Sequence, residues 1–314
     1  MVNLDDALTQ AELQMETDPE LRQHMEAIQR HIDQLKVGDL LKRVDSLVAL
    51  NEVISATSNQ NDGQDEKSVS KMQQKALIRL CDKLVNAFTQ VMIDIFSFPV
   101  KEIPLRFTKY FITIVNKTCS SKEIMKEVSC NEVMGLVDQL LQRLLIDNLD
   151  KIGTNKEGEL ILKNLNSSML RMLENCNHTY IFVVLFGLLT KYKDSPDQPK
   201  IPSLIIKCLL KLSKNMDKLI EKVDLKRFMV AIHEYLVTIP LDKKSQNDDL
   251  GTRIAKTLVN EIVKLKRNEI WEYYQVIEQH PQPDNHLQKW IQIILKSLSQ
   301  SQNIDNTSSI INNV

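Results

Sequence analysis

Glycine is scarce in this chain, with 7 residues among 314. Soluble proteins usually carry about 7%. Glycine supplies the positive φ of tight turns and lets the backbone approach a phosphate closely. A chain this poor in it cannot readily build many β-hairpins or a glycine-rich nucleotide loop. Aromatic residues are also few, at 5%, whereas hydrophobic residues reach 43%. Any core must therefore be mainly aliphatic. The formal net charge is −1 and the pI is about 6.6. That balance argues against nucleic acid as a ligand, since clustered positive charge dominates such interfaces. It also argues against adhesion to anionic lipid.

Helical periodicity fills the space that glycine leaves. Asp18-Pro19-Glu20 is a start signal, with Asp as N-cap and Pro at the first helical position. The following helix carries only a narrow stripe, Leu21, Met25, Ile28, Ile32 and Leu35, and Gly38 interrupts it. A second helix runs through Leu40, Leu47 and Ile54. Thr57 to Lys67 is polar and reads as a loop. Leu77, Leu80, Cys81, Leu84, Val85, Phe88, Val91, Met92 and Ile95 then form one broad apolar face. Ser129 with Glu132, and Thr154 with Glu157, have capping-box spacing. Asp224 is placed to cap a helix through Phe228 and Ile232. Tyr180 to Leu189 is apolar on every side. With no partner strand in sight it predicts a buried helix, and its length is about half that needed to cross a bilayer.

Helices of this kind, joined by short loops, bury their faces against one another in stacked pairs. A pair length of about 35–50 residues fits HEAT-type repeats. The expectation is therefore an all-α, HEAT-like helical-repeat solenoid. Residues 1–36 would be an N-terminal linker helix, 37–300 the helical domain and 301–314 a Ser/Asn-rich disordered tail. Met1 to Gln14 contains Asp5, Asp6 and Glu12 and has no apolar block, so no secretory leader is expected. The five cysteines, Cys81, Cys119, Cys130, Cys176 and Cys208, have no Cys-x-x-Cys pair and read as reduced core residues.

One stretch is more specific. Residues 157–277 contain, in order, LNSSML, LEN, FVVL, KCLLKL, VDL, IHEYL, KTL and KLK. This run resembles the C-terminal region of the TOG-family microtubule polymerases, the group of ch-TOG and Mini spindles. The resemblance implies a sixth, divergent TOG domain and a role in spindle and centrosome organisation. It implies the cytoplasm and cytoskeleton as location, at centrosomes, spindle poles and kinetochores. TACC-type coiled-coil adaptors would dock on a segment beyond this chain, and tubulin would be bound by the rest of the family protein. Tubulin-binding members place a Trp in the first intra-repeat loop. Here the tryptophans are Trp271 and Trp290, so direct tubulin binding by this domain is not expected.

No Gly-x-Gly-x-x-Gly, Gly-Lys-Ser/Thr, Gly-x-Ser-x-Gly or His-Glu-x-x-His motif occurs. No catalytic residue, cofactor or metal site is therefore expected. His24 and His31 are about 10 Å apart by helical rise. His280, Asp284 and His286 lack a fourth ligand and read as an exposed turn. His233, between apolar neighbours, reads as a core histidine. Lys207, Lys211, Lys214, Lys218 and Lys222 recur at three- and four-residue steps. That spacing puts five positive charges on one helical face. The stripe is either a dock for an acidic partner, a coiled coil or a tubulin tail, or the solvated side of an amphipathic helix. The expected function is a non-catalytic interaction domain of a microtubule-associated protein. The alternative is an unrelated HEAT-like scaffold or adaptor.

Overall fold

The computed structural model describes residues 18–58, 64–153, 156–239, 250–281 and 286–311, with side chains described except at 57–58, 64–70 and 301–311. Among the described residues it contains helices and no strand. The chain divides into two compact units, Met1–Asn177 and His178–Val314. The sequence pattern alone suggests one domain over 37–300, because helical periodicity does not change across residue 177.

The first unit holds α1 (Pro19–Val37), α2 (Leu40–Ser58), α3 (Gln64–Arg79), α4 (Cys81–Phe96), α5 (Leu105–Ser120), the short α6 (Lys122–Met125), α7 (Cys130–Leu144) and α8 (Glu157–Asn175). Helices α1, α4 and α7 pack in one layer, and α2, α5 and α8 in the other. That two-layer arrangement of successive pairs is what HEAT-like repeats require. Asp18 accepts the amide N–H of Glu20 at 3.1 Å and of Leu21 at 3.2 Å, as the start signal demands. The helix that composition reads as a linker is part of the core: Leu21, Ile32 and Leu35 are completely buried. Its stripe packs against α2, α3 and α4.

Polar ties fix the pairs. Arg43 on α2 donates to the Lys36 carbonyl at 2.8 Å and to Asp94 on α4 at 2.7 Å. Asn175 of α8 donates to the Cys119 carbonyl of α5 at 2.9 Å. Three local expectations change. The broad apolar face over Leu77–Ile95 belongs to two helices, α3 and α4, broken at Leu80. Helix α3 already begins at Gln64, inside the stretch read as a loop. Ser129 is an N-cap, but its hydroxyl makes no capping bond. Instead its backbone N–H donates to Asp82 of α4 at 2.7 Å. An acid from a neighbouring helix thus does what the capping box assigns to Glu132. Thr154 lies outside the described residues.

The second unit holds α9 (His178–Tyr192), α10 (Ile201–Ser213), the short α11 (Met216–Leu219), α12 (Leu225–Val237), α13 (Leu250–Lys266), α14 (Ile270–Glu278) and α15 (His286–Ile311). Helices α9, α12 and α14 form one layer; α10, α13 and α15 form the other. The all-apolar segment is indeed a buried helix. In α9, Ile181, Phe182, Val184, Leu185, Phe186, Leu188 and Leu189 are each at most 1% exposed. Phe182 and Phe186 meet Phe228 of α12 at ring-centroid distances of 4.3 and 6.1 Å. Asp224 caps α12 through the amides of Lys226 (3.0 Å) and Arg227 (3.2 Å). Its own N–H donates to Thr179 Oγ1 at 2.8 Å, tying the start of α12 to the start of α9.

The last helix is continuous to Ile311, into the stretch that composition reads as a tail. Once Leu287, Trp290 and Ile291 nucleate it, extension adds a hydrogen bond for each residue ordered. Among the described residues no helix is long and apolar enough to cross a membrane.

Candidate protein-binding surface

The five lysines of the stripe are not on one helix. Lys207 and Lys211 lie on α10, which ends at Ser213. Lys214 is its C-cap, Lys218 sits on the four-residue α11, and Lys222 ends a single 3-10 turn over Ile220–Lys222. Asn215 breaks the helix: its side chain donates back to the Lys211 carbonyl at 3.3 Å, and its N–H to the Leu212 carbonyl. The sequence spacing continues because Met216, Leu219 and Ile220 still face the core. The lysines therefore keep a helical rhythm without lying along one continuous helix. Lys207, Lys214, Lys218 and Lys222 are exposed, and Lys211 is half-buried.

Between Lys207 and Arg227 there are seven basic residues and three acidic ones, Asp217, Glu221 and Asp224, a local net charge of +4. Part of that charge has a structural use. Lys211 and Lys214 stand at the C-terminal end of α10, where the helix dipole favours cations. Asp224 is taken up as the cap of α12.

A contact invisible in the spacing joins this segment to α13. Lys266, in the last turn of α13, meets Glu221 at 2.7 Å, with the Lys266 side chain 16% exposed. The Glu221 hydrogen bond pushes the Lys266 ammonium above the ordinary lysine range. The pair brings the end of α13 against the 3-10 turn. Arg267 follows directly, exposed, with φ of 52°. Lys264, one turn earlier, is paired with Glu261 at 2.9 Å.

The other candidates resolve into packing. His233 is completely buried on α12, its ring edge-on to His280 with centroids 4.7 Å apart. Among the described residues no group of three His, Cys, Asp or Glu side chains could hold a metal ion; Asp284 lies outside them. Trp290 is 8% exposed, in the core with Leu287 and Ile291, as its register predicts. Trp271 stands edge-on to Tyr274 at 5.7 Å.

All five cysteines are free thiols. Cys81, Cys119 and Cys176 are buried, while Cys130 and Cys208 are half-buried, less than a core role would give. Desolvation pushes the Cys81 and Cys119 thiols up to about 12 and Cys208 to about 11, so they remain protonated and unreactive at neutral pH. A groove of about 530 Å³ in the first unit is lined by Lys101, Leu105, Asp147, Lys151 and neighbours. It brings together no nucleophile and base.

No family model matches the chain, and no solved structure does. Curated proteins are similar to it, among them the following three. Protein MOR1 of Oryza sativa subsp. japonica is 29% identical over 242 residues, 72% of this chain and 12% of that protein. Centrosomal protein 224 of Dictyostelium discoideum is 25% identical over 204 residues, 62% of this chain and 10% of that protein. Protein mini spindles of Drosophila melanogaster is 22% identical over 186 residues, 59% of this chain and 8% of that protein. The aligned stretch thus spans about an eighth or less of each relative's length. The matches include Mini spindles itself, which the ordered segments of residues 157–277 already resemble, and each extends over more than half of this chain. These similarities support a TOG-domain protein of the ch-TOG and Mini spindles family.

Proposed function

We propose that this chain is a non-catalytic protein-interaction domain, the sixth, divergent TOG domain of a longer microtubule polymerase that organises spindles and centrosomes. The observation that carries this reading is the extended match to relatives whose names speak of a centrosome and of spindles. It is supported by an all-α fold of stacked pairs, which offers long helical edges to partners. The domain works in the cytoplasm on the cytoskeleton, at centrosomes, spindle poles and kinetochores. A TACC-type adaptor docks on a segment outside the chain, and other domains of the same protein hold tubulin. Neither tryptophan offers the early-loop contact of tubulin-binding members, as Trp290 is in the core and Trp271 packs on Tyr274. The domain's own partner contact is the basic side formed by Lys207, Lys211, Lys214, Lys218 and Lys222.

The test is co-sedimentation with microtubules, with and without a TACC coiled coil, alongside size-exclusion chromatography with free tubulin. The expected outcome is no stoichiometric tubulin complex from the isolated domain. The longer family protein should sediment with microtubules and lose spindle-pole enrichment when this domain is removed. A tight one-to-one tubulin complex would refute the division of labour. Unchanged pole enrichment after its removal would refute the spindle role.

A further inference from the structure

The basic side of the second unit is wider than the lysine stripe. The Lys266–Glu221 pair, 2.7 Å long, docks the C-terminal end of α13 against the turn that carries Lys222. Arg267 follows Lys266 directly and Lys222 follows Glu221, so the pair brings these two cationic positions to the same junction although 45 residues separate them in sequence. Lys266 supplies the counter-charge for Glu221, so that acid subtracts less from the field of Lys218 and Lys222. Arg267 is held at φ 52°, a left-handed conformation that is costly for a side chain with a Cβ. Glycine or asparagine would occupy it with less strain. Its side chain points into no core; the residue is exposed. A strained, exposed arginine beside a lysine cluster has a use that glycine could not serve: its planar fork can take a carboxylate in two parallel hydrogen bonds.

The arrangement also selects the kind of partner. The lysines sit within α10 and at its C-cap, on a one-turn helix and on a 3-10 turn, and so follow no single continuous helix. A rigid acidic helix presents carboxylates along one line and could meet only a subset. A flexible acidic chain can follow all of them. We infer that Lys207, Lys214, Lys218, Lys222 and Arg267 form one docking surface for an extended, glutamate- and aspartate-rich polypeptide segment, with Arg267 as its directional contact. This rests on the reading of the lysines as a partner contact and adds Arg267 and the nature of the ligand.

The experiment uses the full chain and a labelled oligo-glutamate peptide in fluorescence anisotropy at low ionic strength, where screening is weakest. An oligothymidylate of equal charge and a glutamate-rich peptide stapled as a helix run in parallel. The wild-type protein should bind the flexible peptide more tightly than either comparison ligand. Arg267→Gly should weaken peptide binding by roughly threefold or more, measurable as about half a decade in Kd. The same variant should melt at the wild-type temperature or above, because the left-handed strain is relieved. That combination separates docking from a structural role. The triple reversal Lys207→Glu, Lys211→Glu, Lys214→Glu should weaken binding by tenfold or more. If the triple variant weakens binding and Arg267→Gly does not, the lysine contact stands and the extended surface is wrong. If neither changes binding, both readings fall. Equal or tighter binding of the oligothymidylate would make the surface a general polyanion site and overturn the inference. Tighter binding of the stapled helix would overturn the choice of a flexible ligand.

Discussion

Gly251→Ala puts the packing of the second unit to a quantitative test. Gly251 lies in the first turn of α13, against Tyr235 of α12 and Leu189 of α9. A Cβ built there would stand 1.9 Å from the Tyr235 hydroxyl oxygen, 2.7 Å from its Cζ and 3.1 Å from Leu189 Cδ2. Tyr235 is 1% exposed and its ring packs on Phe186 at 5.8 Å, so it has no open space into which to retreat. Overpacking a closed site of this kind costs about 1–3 kcal/mol. Alanine returns at most ~1 kcal/mol of helix propensity, and less in a first turn than mid-helix. The net expectation is a loss of roughly 1–2 kcal/mol, against total stabilities of about 5–15 kcal/mol. For units of this size each kcal/mol lowers Tm by about 2–4 °C or somewhat more. Thermal unfolding followed by circular dichroism reads the shift. The double variant with Tyr235→Phe locates the cause, because the shortest contact is to the hydroxyl. The two effects should fall short of additivity by about 0.5 kcal/mol or more. A Gly251→Ala protein that melts at or above the wild-type temperature would show that Tyr235 does not fill the space, and the reasoning fails.

Two other outcomes are expected. Leu185→Asp should unfold the second unit, since an unpaired carboxylate at a completely buried position costs several kcal/mol; a cooperative melt at the wild-type temperature would refute the placement of α9. Alkaline pH should destabilise the fold through its thiols. The folded pKa of Cys119 is raised from 9.0 to about 12 by desolvation, so between these values the unfolded chain gives up a proton that the folded chain keeps. The stability contributed is complete below pH 9 and lost as pH rises to about 12. Cys119→Ala should make the decline over that range shallower in chemical-denaturation series, and an unchanged slope would remove the thiol from the account.

How much was legible in the sequence depended on how far apart the interacting residues lie. The start of α1 needs only Asp18, Pro19 and two amides within three residues, and the start of α12 needs Asp224 and the next three positions. Caps of this kind are local hydrogen bonds, so spacing alone specifies them. Helix identity is equally local: the aliphatic repeats and the scarcity of glycine leave no alternative to stacked helices, and an all-apolar α9 must be surrounded. The family resemblance lay in the order of short segments, and comparison with known proteins agrees with it.

The tertiary structure decided whatever depends on which helix meets which. Ser129 has the spacing of a capping box, yet its amide is bonded by Asp82, 47 residues earlier, because α4 and α7 lie in one layer. The lysines keep a helical rhythm through a helix that ends at Ser213, since periodicity records the side facing the core and not the continuity of the backbone. Whether the chain folds as one body or two depends on contacts across Asn177, to which hydrophobic pattern is blind. The Lys266–Glu221 pair, and with it the position of Arg267, arises only when α13 packs beside α10 and α11. Composition and periodicity thus determined that this chain is built of paired helices with an aliphatic core. The shape and reach of its charged surface came from long-range packing, which brings residues together that no spacing rule connects.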